Sequence, residues 1–553
     1  TDEGAGAEND LEFNMTDIRN LGVVLHSFTS GYLIGTAQPL ISGVLMGYLN
    51  LPAYLAVTAG NMSILPLAFS FLWGLISDSK PICGRRRKPY MIIGWGIVCL
   101  SLLSMAVWPM PAPYYCVGSD GEYDMSVAPC NPKAPAAARH LMPGLCGINL
   151  GIAIADAAAS ALLIEYAKRE TEELRGSAQT SLQMVKLLGT FCSTLVSAFA
   201  FNGKLYTGTF DQDHQLSFQS YVWVSFVTAI VTFCLCCFYV REPPLAGRSV
   251  VRDLESDSDS SESDVGLISF RGLLRSVWVL LRTRSFFFVA MYVFWNSTVH
   301  LKTPALQYVR LQWAGVHMMQ SSLVSLLGVV LSALGIWIAR TYLLNAGWRT
   351  IILIVILSNI IFDAIPQFLT ILDVIRNQYF YLGEPLTEKI LESGRTLVFI
   401  LLGNEVADAS NAGLVHGLIA TLALVAAPLS SAFSVQVFQL FGPELSSRNS
   451  YVEDSETFRR TVALSALATY LFSLASLLLL PLLPQQKADT QRRKREWGGS
   501  SYYAYATVSL LILGLIYCLL VDFLSLSPTL ACLRFVGGSG CSSSGSNMTS
   551  SGS

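Results

Sequence analysis

The sequence predicts an all-α polytopic membrane protein, and three observations support this fold class. Apolar residues make up 52% of the 553 residues, whereas only 13% are charged. The mean hydropathy is +0.49, which is too high for a protein with a single water-soluble core. The apolar residues recur in blocks of about 20, the length of α-helix that crosses the hydrocarbon core of a bilayer.

Blocks of low charge predict twelve membrane-spanning helices in two sets of six. The first set covers residues near 20–46, 53–76, 90–110, 142–166, 178–202 and 219–240, and the second covers 285–308, 317–340, 349–373, 389–407, 413–440 and 461–484. A further apolar run at 502–531 predicts a thirteenth helix. The serine-rich, acidic stretch between the sets is too charged to pack, which predicts a solvated linker.

The chain is thus divided into seven predicted segments. They are a cytoplasmic N-terminal tail (1–19), an N-terminal six-helix domain (20–240), the cytoplasmic linker (241–284), a C-terminal six-helix domain (285–484), a basic cytoplasmic segment (485–501), the thirteenth helix (502–531) and an extracytoplasmic tail (532–553). The sides follow from lysine and arginine, which are concentrated in alternate connections and mark the cytoplasmic side. The N-terminus is therefore predicted to be cytoplasmic.

Four cysteines lie on the predicted outer side. Cys116 and Cys130 flank the 111–140 loop, and Cys532 and Cys541 follow the predicted thirteenth helix. Each pair is a candidate disulfide in an oxidising compartment. The cysteines and histidines show no spacing typical of a metal site, so neither a metal nor a cofactor is predicted.

The loop between predicted helices 2 and 3 is the most informative segment. Its glycines and charged residues are Gly74, Asp78, Gly84, Arg85, Arg86, Arg87 and Lys88. The Asp78 carboxylate can pair with one of these arginines or accept hydrogen bonds from the N-terminus of a neighbouring helix. We interpret the loop as a latch that forms when the two domains close on this side. The alternative is a basic anchor that only sets topology.

The two halves carry related segments. Gly74 is followed fourteen residues later by Lys88, and Gly335 fourteen residues later by Arg349, although Ala339 stands at the aspartate position. Two six-helix repeats with matching loops are typical of a transporter that alternates access around a midplane site. Chance similarity is the alternative, since apolar helices share composition.

A second pair of related positions is Glu165 and Glu405. Each lies at the predicted cytoplasmic end of a helix, and a glycine, Gly176 or Gly413, opens the helix that follows. Glu165 is expected to take part in the inner gate with Arg175 or with the arginine cluster of the loop.

Ionisable residues within the predicted spans are the candidates for substrate contacts, because an intramembrane charge is costly and faces a cavity or a partner. They are Asp156, Lys186, Lys302 and Asp363, with His26, His300 and His416 as weaker candidates. Other interpretations stay open. Asp156 and Lys186 can form a structural ion pair, and Lys302 and Asp363 can lie near the outer ends of their helices.

The loop and three further segments resemble a known family. The pattern G-x-x-x-D followed by G-R-R-R is similar to the helix 2–3 signature of the major facilitator superfamily, and SDSKPICGRRRKPY resembles the folate-biopterin transporter family. FYLGEPLTEKI, NEVADASNAGLVHG and QKADTQRRKREWG resemble its protist-type members. The resemblance implies a major-facilitator-type 6+6 helix transporter fold, to which this chain adds a C-terminal helix. It also implies secondary active import of folates and pterins such as biopterin, coupled to protons as a symport.

For such a substrate, the ionisable residues have separate predicted roles. A pterin ring offers an N–H and an amine in the geometry that a carboxylate accepts, which favours Asp156. The glutamyl tail of a folate needs a cation, which favours Lys186. Asp156 is also the candidate for proton coupling, because a partly buried carboxylate can bind a proton on one side and release it on the other.

No enzyme is predicted, because neither a phosphate-binding loop nor a hydrolase or metalloprotease motif occurs in the sequence. The predicted partners are a small-molecule substrate, membrane lipids and protons, and no nucleic acid. One alternative is a transporter of another organic solute, such as S-adenosylmethionine or a sugar. The other is a non-transporting membrane receptor with the same fold. The plasma membrane is the predicted location, with an organelle membrane as the alternative.

Overall fold

The computed structural model is mostly helical in the part of the chain that it describes. That part comprises residues 14–36, 40–51, 53–118, 123–124, 127–168, 176–200, 216–242, 270–316, 318–344, 346–408, 411–446, 448–527, 530 and 533.

The first half of the bundle holds helices α1 to α7. Their bounds are α1 Leu21–Gly35, α2 Ala53–Ile64, α3 Ser70–Ser79, α4 Lys88–Val107, α5 Ala138–Ala167, α6 Ser177–Ala200 and α7 Phe218–Phe238. Short 3-10 turns cover Ile18–Asn20, Leu65–Phe69 and Ala134–Ala137, and a π-helix covers Leu40–Tyr48. Strands β1 Cys116–Val117 and β2 Tyr123–Asp124 pair antiparallel in the connection between α4 and α5.

The second half begins with two helices and continues through α17. The bounds are α8 Phe270–Arg282, α9 Arg284–Val299, α10 Ala305–Tyr308, α11 Met318–Ile338, α12 Trp348–Ile371, α13 Gln378–Tyr381, α14 Gly383–Val406, α15 Ala412–Phe438, α16 Arg448–Glu453 and α17 Glu456–Ala475. Segments of π-helix cover Val309–Trp313 and Ala339–Leu343, and 3-10 turns cover Gln439–Phe441, Pro443–Ser446 and Ser476–Leu482. Two helices follow, α18 Lys487–Glu496 and α19 Ser501–Ser525.

Nine helical segments among the described residues are long and apolar enough to cross a membrane. Helix α19, at the position of the predicted thirteenth span, is one of them. The remaining predicted spans fall on α1, α6, α9 and α14. Helices α1 and α9 are short, with 15 and 16 residues. Helix α14 carries several charged residues, and α6 carries Lys186 together with many serine, threonine and glutamine side chains.

Several helix pairs join the halves of the bundle, among them α5 with α15, and two of them make the most extensive contacts. Helix α3 packs against α15, and α6 packs against α11. Each half also has its own buried apolar core. Trp95 of α4 is fully buried in the first core, and Trp348 of α12 is fully buried in the second. The halves are therefore held internally by close packing and meet along a few helices.

Helix α8 lies inside the stretch predicted to be a solvated linker. Its sequence places Val277, Leu280 and Leu281 on one helical face, and the two leucines are buried. The helix packs against α19. The strong acidity of residues 255–264 concealed this apolar pattern at the end of the stretch. Residues 243–269 lie outside the described part of the chain.

The four candidate cysteines fall into two groups. Cys116 and Cys130 are joined by a disulfide that closes the connection between α4 and α5. Cys532 and Cys541 lie outside the described residues, so their pairing stays a prediction.

Candidate functional site

Charged side chains cluster at both ends of the bundle and near its middle. We name the end that holds the loop between α3 and α4, together with helix α18, the basic end. We name the end that holds the disulfide between Cys116 and Cys130 the disulfide end.

Asp78 lies in the last turn of α3 and contacts the opposite half. Its Oδ1 accepts a hydrogen bond from the backbone nitrogen of Gly413 at 3.2 Å, and its Oδ2 accepts one from Leu414 at 2.7 Å. These N–H groups begin α15, where the helix has no internal acceptors for them and carries the positive end of its dipole. The carboxylate of one half therefore caps a helix of the other.

Arg87 holds Asp78 from within the first half. Its Nη1 lies 2.7 Å from Oδ1 of Asp78, and its Nη2 lies 2.6 Å from Oε1 of Glu165. Burial lowers the pKa of the Arg87 guanidinium, but Asp78 and Glu165 outweigh burial, so the pKa is raised. Arg87 is thus a buried cation between two carboxylates. We name Asp78, Arg87 and Glu165 the latch.

Glu242, which lies a few residues beyond the end of α7, fixes the loop that carries Arg87. Its Oε1 accepts hydrogen bonds from the backbone nitrogens of Arg86 at 2.6 Å and Arg87 at 3.1 Å, and its Oε2 accepts one from Lys88 at 3.2 Å. The carboxylate thereby caps the start of α4. Arg86 adds a hydrogen bond from Nη2 to the carbonyl oxygen of Asp78 at 2.9 Å.

Glycines let α3 and α15 approach closely at the latch. A Cβ atom at Gly74 would lie 2.0 Å from the carbonyl oxygen of Gly413, and one at Gly417 would lie 2.6 Å from the Cα of Phe71. Only hydrogen atoms fit at these two positions, because the nearest atoms belong to the opposite backbone. The contact between the halves therefore depends on glycine as well as on charge.

The other predicted gating residues have different positions. Gly84 has a φ of +74°, in the left-handed region that favours glycine, and forms the turn of the loop. Arg85 is exposed beside it. Arg175 lies outside the described residues, so its contact with Glu165 stays a prediction.

The second half keeps a counterpart of Glu165, which is Glu405, but lacks the counterparts of the latch aspartate and arginine. By the same spacing, Ala339 stands at the aspartate position and Trp348 at the arginine position, and both are buried. Glu405 is fully buried, and its Oε2 accepts a hydrogen bond from Nε2 of Gln491 in α18 at 2.6 Å. The seam between α6 and α11 holds a smaller set of contacts, including one from Nη2 of Arg340 to Oγ of Ser177 at 2.8 Å.

Asp156 is the centre of a polar cluster within the first half. Its Oδ2 lies 3.0 Å from Nζ of Lys186 in α6, and its Oδ1 lies 2.9 Å from Nε2 of His26 in α1. The indole nitrogen of Trp95 donates to Nδ1 of His26 at 3.1 Å. An indole N–H only donates, so Nδ1 of His26 accepts and Nε2 carries the proton that is donated to Asp156.

The side chains of Asp156 and Lys186 are partly exposed. Their side chains are 26% and 27% exposed, whereas His26 is 2% exposed. The structure therefore brings together the two predicted substrate residues as an ion pair. The cluster can offer a carboxylate and an ammonium to a ligand that carries both donors and an anionic group.

Lys302 and Asp363 lie in the second half. Asp363 of α12 accepts hydrogen bonds from the Tyr470 hydroxyl at 3.0 Å and from Nε2 of Gln367 at 3.2 Å. Lys302 follows the end of α9, and its backbone nitrogen donates to Oγ of Ser434 at 3.1 Å. Within the described residues, no hydrogen bond or ion pair joins either side chain to the cluster around Asp156. The weaker candidate His300 contacts the carbonyl oxygen of Asn296 at 2.9 Å, and His416 lies half-buried on α15.

Sequence reasoning missed several members of these sites. Trp95 and Glu242 contact residues far away in the chain, which no local pattern indicates. Glu392 and Arg395 form a further charged pair outside these sites. They are spaced i, i+3 in a predicted helix, and Nε of Arg395 donates to Oε1 of Glu392 at 3.1 Å. That charged pair was visible in the sequence.

The disulfide end holds a separate ion cluster. Nη1 of Arg376 and Nη2 of Arg459 lie 2.6 Å and 2.7 Å from Oδ2 of Asp454. Burial raises the pKa of Asp454, but the hydrogen bonds from both arginines outweigh it and lower the pKa to about 2. The cluster ties the connection after α12 to the start of α17.

Similar proteins are found both by sequence and by structure. A family model described as PUCC protein matches residues 41–238. Probable folate-biopterin transporter 4 of Arabidopsis thaliana is 26% identical over 180 residues, which are 32% of this chain and 31% of that protein. The chain thus matches about a third of the length of that relative.

Solved structures match over most of the chain. A double tryptophan variant of XylE has a TM-score of 0.55 at 11% identity and covers 87% of this chain and 98% of that one. The proton:xylose symporter XylE bound to 6-bromo-6-deoxy-D-glucose has a TM-score of 0.53 at 12% identity, with coverages of 87% and 98%. At these identities the likeness shows the fold.

That fold is the one of the major facilitator superfamily, a class of multi-pass integral membrane transporters. The predicted fold class is therefore confirmed. The matches to the PUCC family model and to the Arabidopsis transporter agree with the predicted resemblance to the folate-biopterin transporter family. The Arabidopsis relative and the structural neighbour XylE are named as transporters, in agreement with the prediction of a transporter rather than an enzyme.

Proposed function

We propose that the protein is a secondary active transporter that imports folates or pterins together with protons by alternating access. The observation that carries the proposal is the latch, in which Asp78 caps a helix of the opposite half. Alternating access needs contacts between the halves that form in one state and separate in another. The latch is a contact of this kind, because Asp78 lies in one half and the backbone nitrogens that it binds lie in the other.

The ion pair of Asp156 and Lys186 is the proposed substrate site. The Asp156 carboxylate suits the N–H and amine groups of a pterin ring, and the Lys186 ammonium suits the carboxylates of a folate tail. Lys302 and Asp363 are proposed as further contacts from the second half. The name of the Arabidopsis relative supports this substrate class.

Proton coupling is proposed to involve Asp156. When no pterin ring is bound to it, the partly exposed Asp156 carboxylate can bind a proton on one side of the membrane and release it on the other. Moving the residue through the membrane interior as an anion is costly, about 2.5–3.5 kcal/mol on insertion scales. Protonation removes that cost.

Uptake of labelled folate and biopterin by transport-deficient cells that express the chain tests the proposal. Uptake should rise as the outside pH falls and should collapse with a protonophore. A rate that is independent of pH and protonophore would contradict symport. Binding without accumulation would indicate a receptor, and uptake of S-adenosylmethionine or a sugar instead would contradict the substrate class.

Variants of the ion pair test the site. Asp156→Asn should abolish uptake of both substrates. Lys186→Ala should reduce folate uptake more than biopterin uptake, because only folate carries the tail carboxylates. An equal loss of both substrates in Lys186→Ala would instead favour a purely structural ion pair.

A further inference from the structure

A cavity at the basic end is lined mainly by cations. It lies between the segment before α1, the start of α4 and the end of α7, and its volume is about 610 Å³. The charged residues that line it are Arg19, Arg85, Lys88, Arg241 and Glu242. Four cationic side chains and one carboxylate give the cavity a net positive charge, which favours an anionic ligand.

Lys88 is the residue that points to a ligand. It is only 7% exposed, and its backbone nitrogen is bonded to Glu242. In the part of the chain that the structure describes, no hydrogen bond or ion pair reaches its ammonium group. A buried ammonium is costly unless it is paired. The cavity that it lines is the place where an anion can supply the partner.

The rim of the cavity indicates that the anion belongs to a lipid. Ile18 and Phe238 line the cavity and are 66% and 77% exposed. Phe238 is the last residue of α7, which is long and apolar enough to span a membrane. Apolar side chains at the end of a span contact acyl chains, while cations at the same level contact headgroups.

We propose that this cavity binds the phosphate of an anionic phospholipid headgroup, with Lys88 and Arg85 as its cationic contacts. A phosphate offers several acceptor oxygens, which suits two donors that approach from different sides. Lys88 supplies the buried contact, and the exposed Arg85 supplies the contact at the mouth.

The site adjoins the latch. Lys88 follows Arg87 in the chain, and the Glu242 carboxylate binds the backbone nitrogens of both residues. A phosphate held by Lys88 and Arg85 therefore stabilises the loop that positions the latch arginine. Binding of an anionic lipid should favour the closed basic end.

Lipid binding to the purified full chain, measured by native mass spectrometry, tests the proposal without any assay of transport. The probes are phosphatidic acid, zwitterionic phosphatidylcholine and soluble glycerol 3-phosphate. We expect phosphatidic acid to bind much more tightly than the other two. Equal binding of phosphatidylcholine would overturn the assignment of an anion site, and equal binding of glycerol 3-phosphate would overturn the lipid as its source.

Two charge-matched variants locate the site. Lys88→Gln should weaken the binding of phosphatidic acid roughly fivefold, the effect of one lysine near a charged surface. Lys80→Gln removes the same charge from the same loop at an exposed position outside the cavity, so it should leave binding unchanged. An equal loss in both variants would mean a diffuse basic surface and would overturn the site.

Arg85→Gln provides a second variant in case Lys88→Gln does not fold. Arg85 is exposed, so its replacement should not disturb the fold and should weaken binding of phosphatidic acid by a similar factor. Unchanged binding in Arg85→Gln would contradict its role as a contact.

Discussion

Asp78 has partners on both sides of the contact between the halves. Arg87 binds its carboxylate from the first half, while the backbone nitrogens of Gly413 and Leu414 bind it from the second. Removing one partner of a buried charge network costs roughly 3 kcal/mol, because the remaining charge is left without compensation. The closed basic end therefore depends on the charge of one residue.

Asp78→Asn should leave the protein in the membrane and reduce transport by at least about tenfold, since an amide keeps the volume but cannot compensate Arg87. The measurement is uptake per molecule at the cell surface. Asp17→Asn is the control, because Asp17 also accepts a backbone hydrogen bond, from Arg19, but lies outside the latch. Normal uptake by Asp78→Asn at a normal surface level would contradict the latch.

Asp454 makes a pH-dependent contribution to stability at the disulfide end. Its pKa is about 2 in the folded protein, below the value of about 3.9 in an unfolded chain. Its contribution is therefore present above about pH 3.9 and is lost as the pH falls through about 2. The size is on the order of 2 kcal/mol, since its side chain is mostly buried.

Asp454→Asn should lower the apparent melting temperature in detergent between pH 5 and 7. The difference from the parent protein should narrow below about pH 4, because protonation removes the same charge from the parent. Glu456→Gln is the matched control, because Glu456 forms an exposed ion pair with Arg460 that contributes little to stability. A difference in melting temperature that widens on acidification would contradict the stabilising role of the Asp454 charge.

The crossing of α3 and α15 requires glycine on both helices. Gly74→Ala places a methyl group 2.0 Å from the carbonyl oxygen of Gly413. The two helices must therefore move apart, which lengthens the hydrogen bonds from α15 to Asp78. We expect a loss of transport of at least about tenfold with the protein still folded, since alanine favours a helix.

Gly403→Ala in α14 is the control for that variant, because a Cβ atom there meets nothing within 4 Å. The readout is uptake per molecule at the cell surface. Unchanged transport in Gly74→Ala would show that the crossing tolerates a side chain.

Long apolar helices could be predicted well from the sequence, whereas their long-range contacts could not. The predicted span 90–110 corresponds to Lys88–Val107, and 349–373 corresponds to Trp348–Ile371. For Asp78 the sequence predicted a pair with an arginine of the loop or hydrogen bonds from a helix N-terminus, and the structure contains both contacts. The partners of His26 and Glu405, by contrast, are Trp95 and Gln491, and nothing in their local sequence indicates that they meet in the folded chain.

The molecule as a whole has an odd number of predicted spans after the linker. Six helices of the second domain and α19 separate the linker from the C-terminal tail, so the two should lie on opposite sides of the membrane. Epitope tags within 243–269 and after Ser553 test this arrangement in intact and permeabilised cells. Two tags on the same side would mean that Ser501–Ser525 does not span the membrane.

Opening of the basic end requires hydration of the latch side chains. Arg87, Asp78 and Glu165 have side chains that are 0%, 6% and 13% exposed while the basic end is closed. Separation of α3 from α15 must bring water to all three charges, whereas Ala339 and Trp348 in the second half demand no comparable hydration. Lowering the water activity with sucrose on both sides of proteoliposomes should therefore slow transport. Asp78→Asn should weaken that dependence, because part of the hydrated charge is gone.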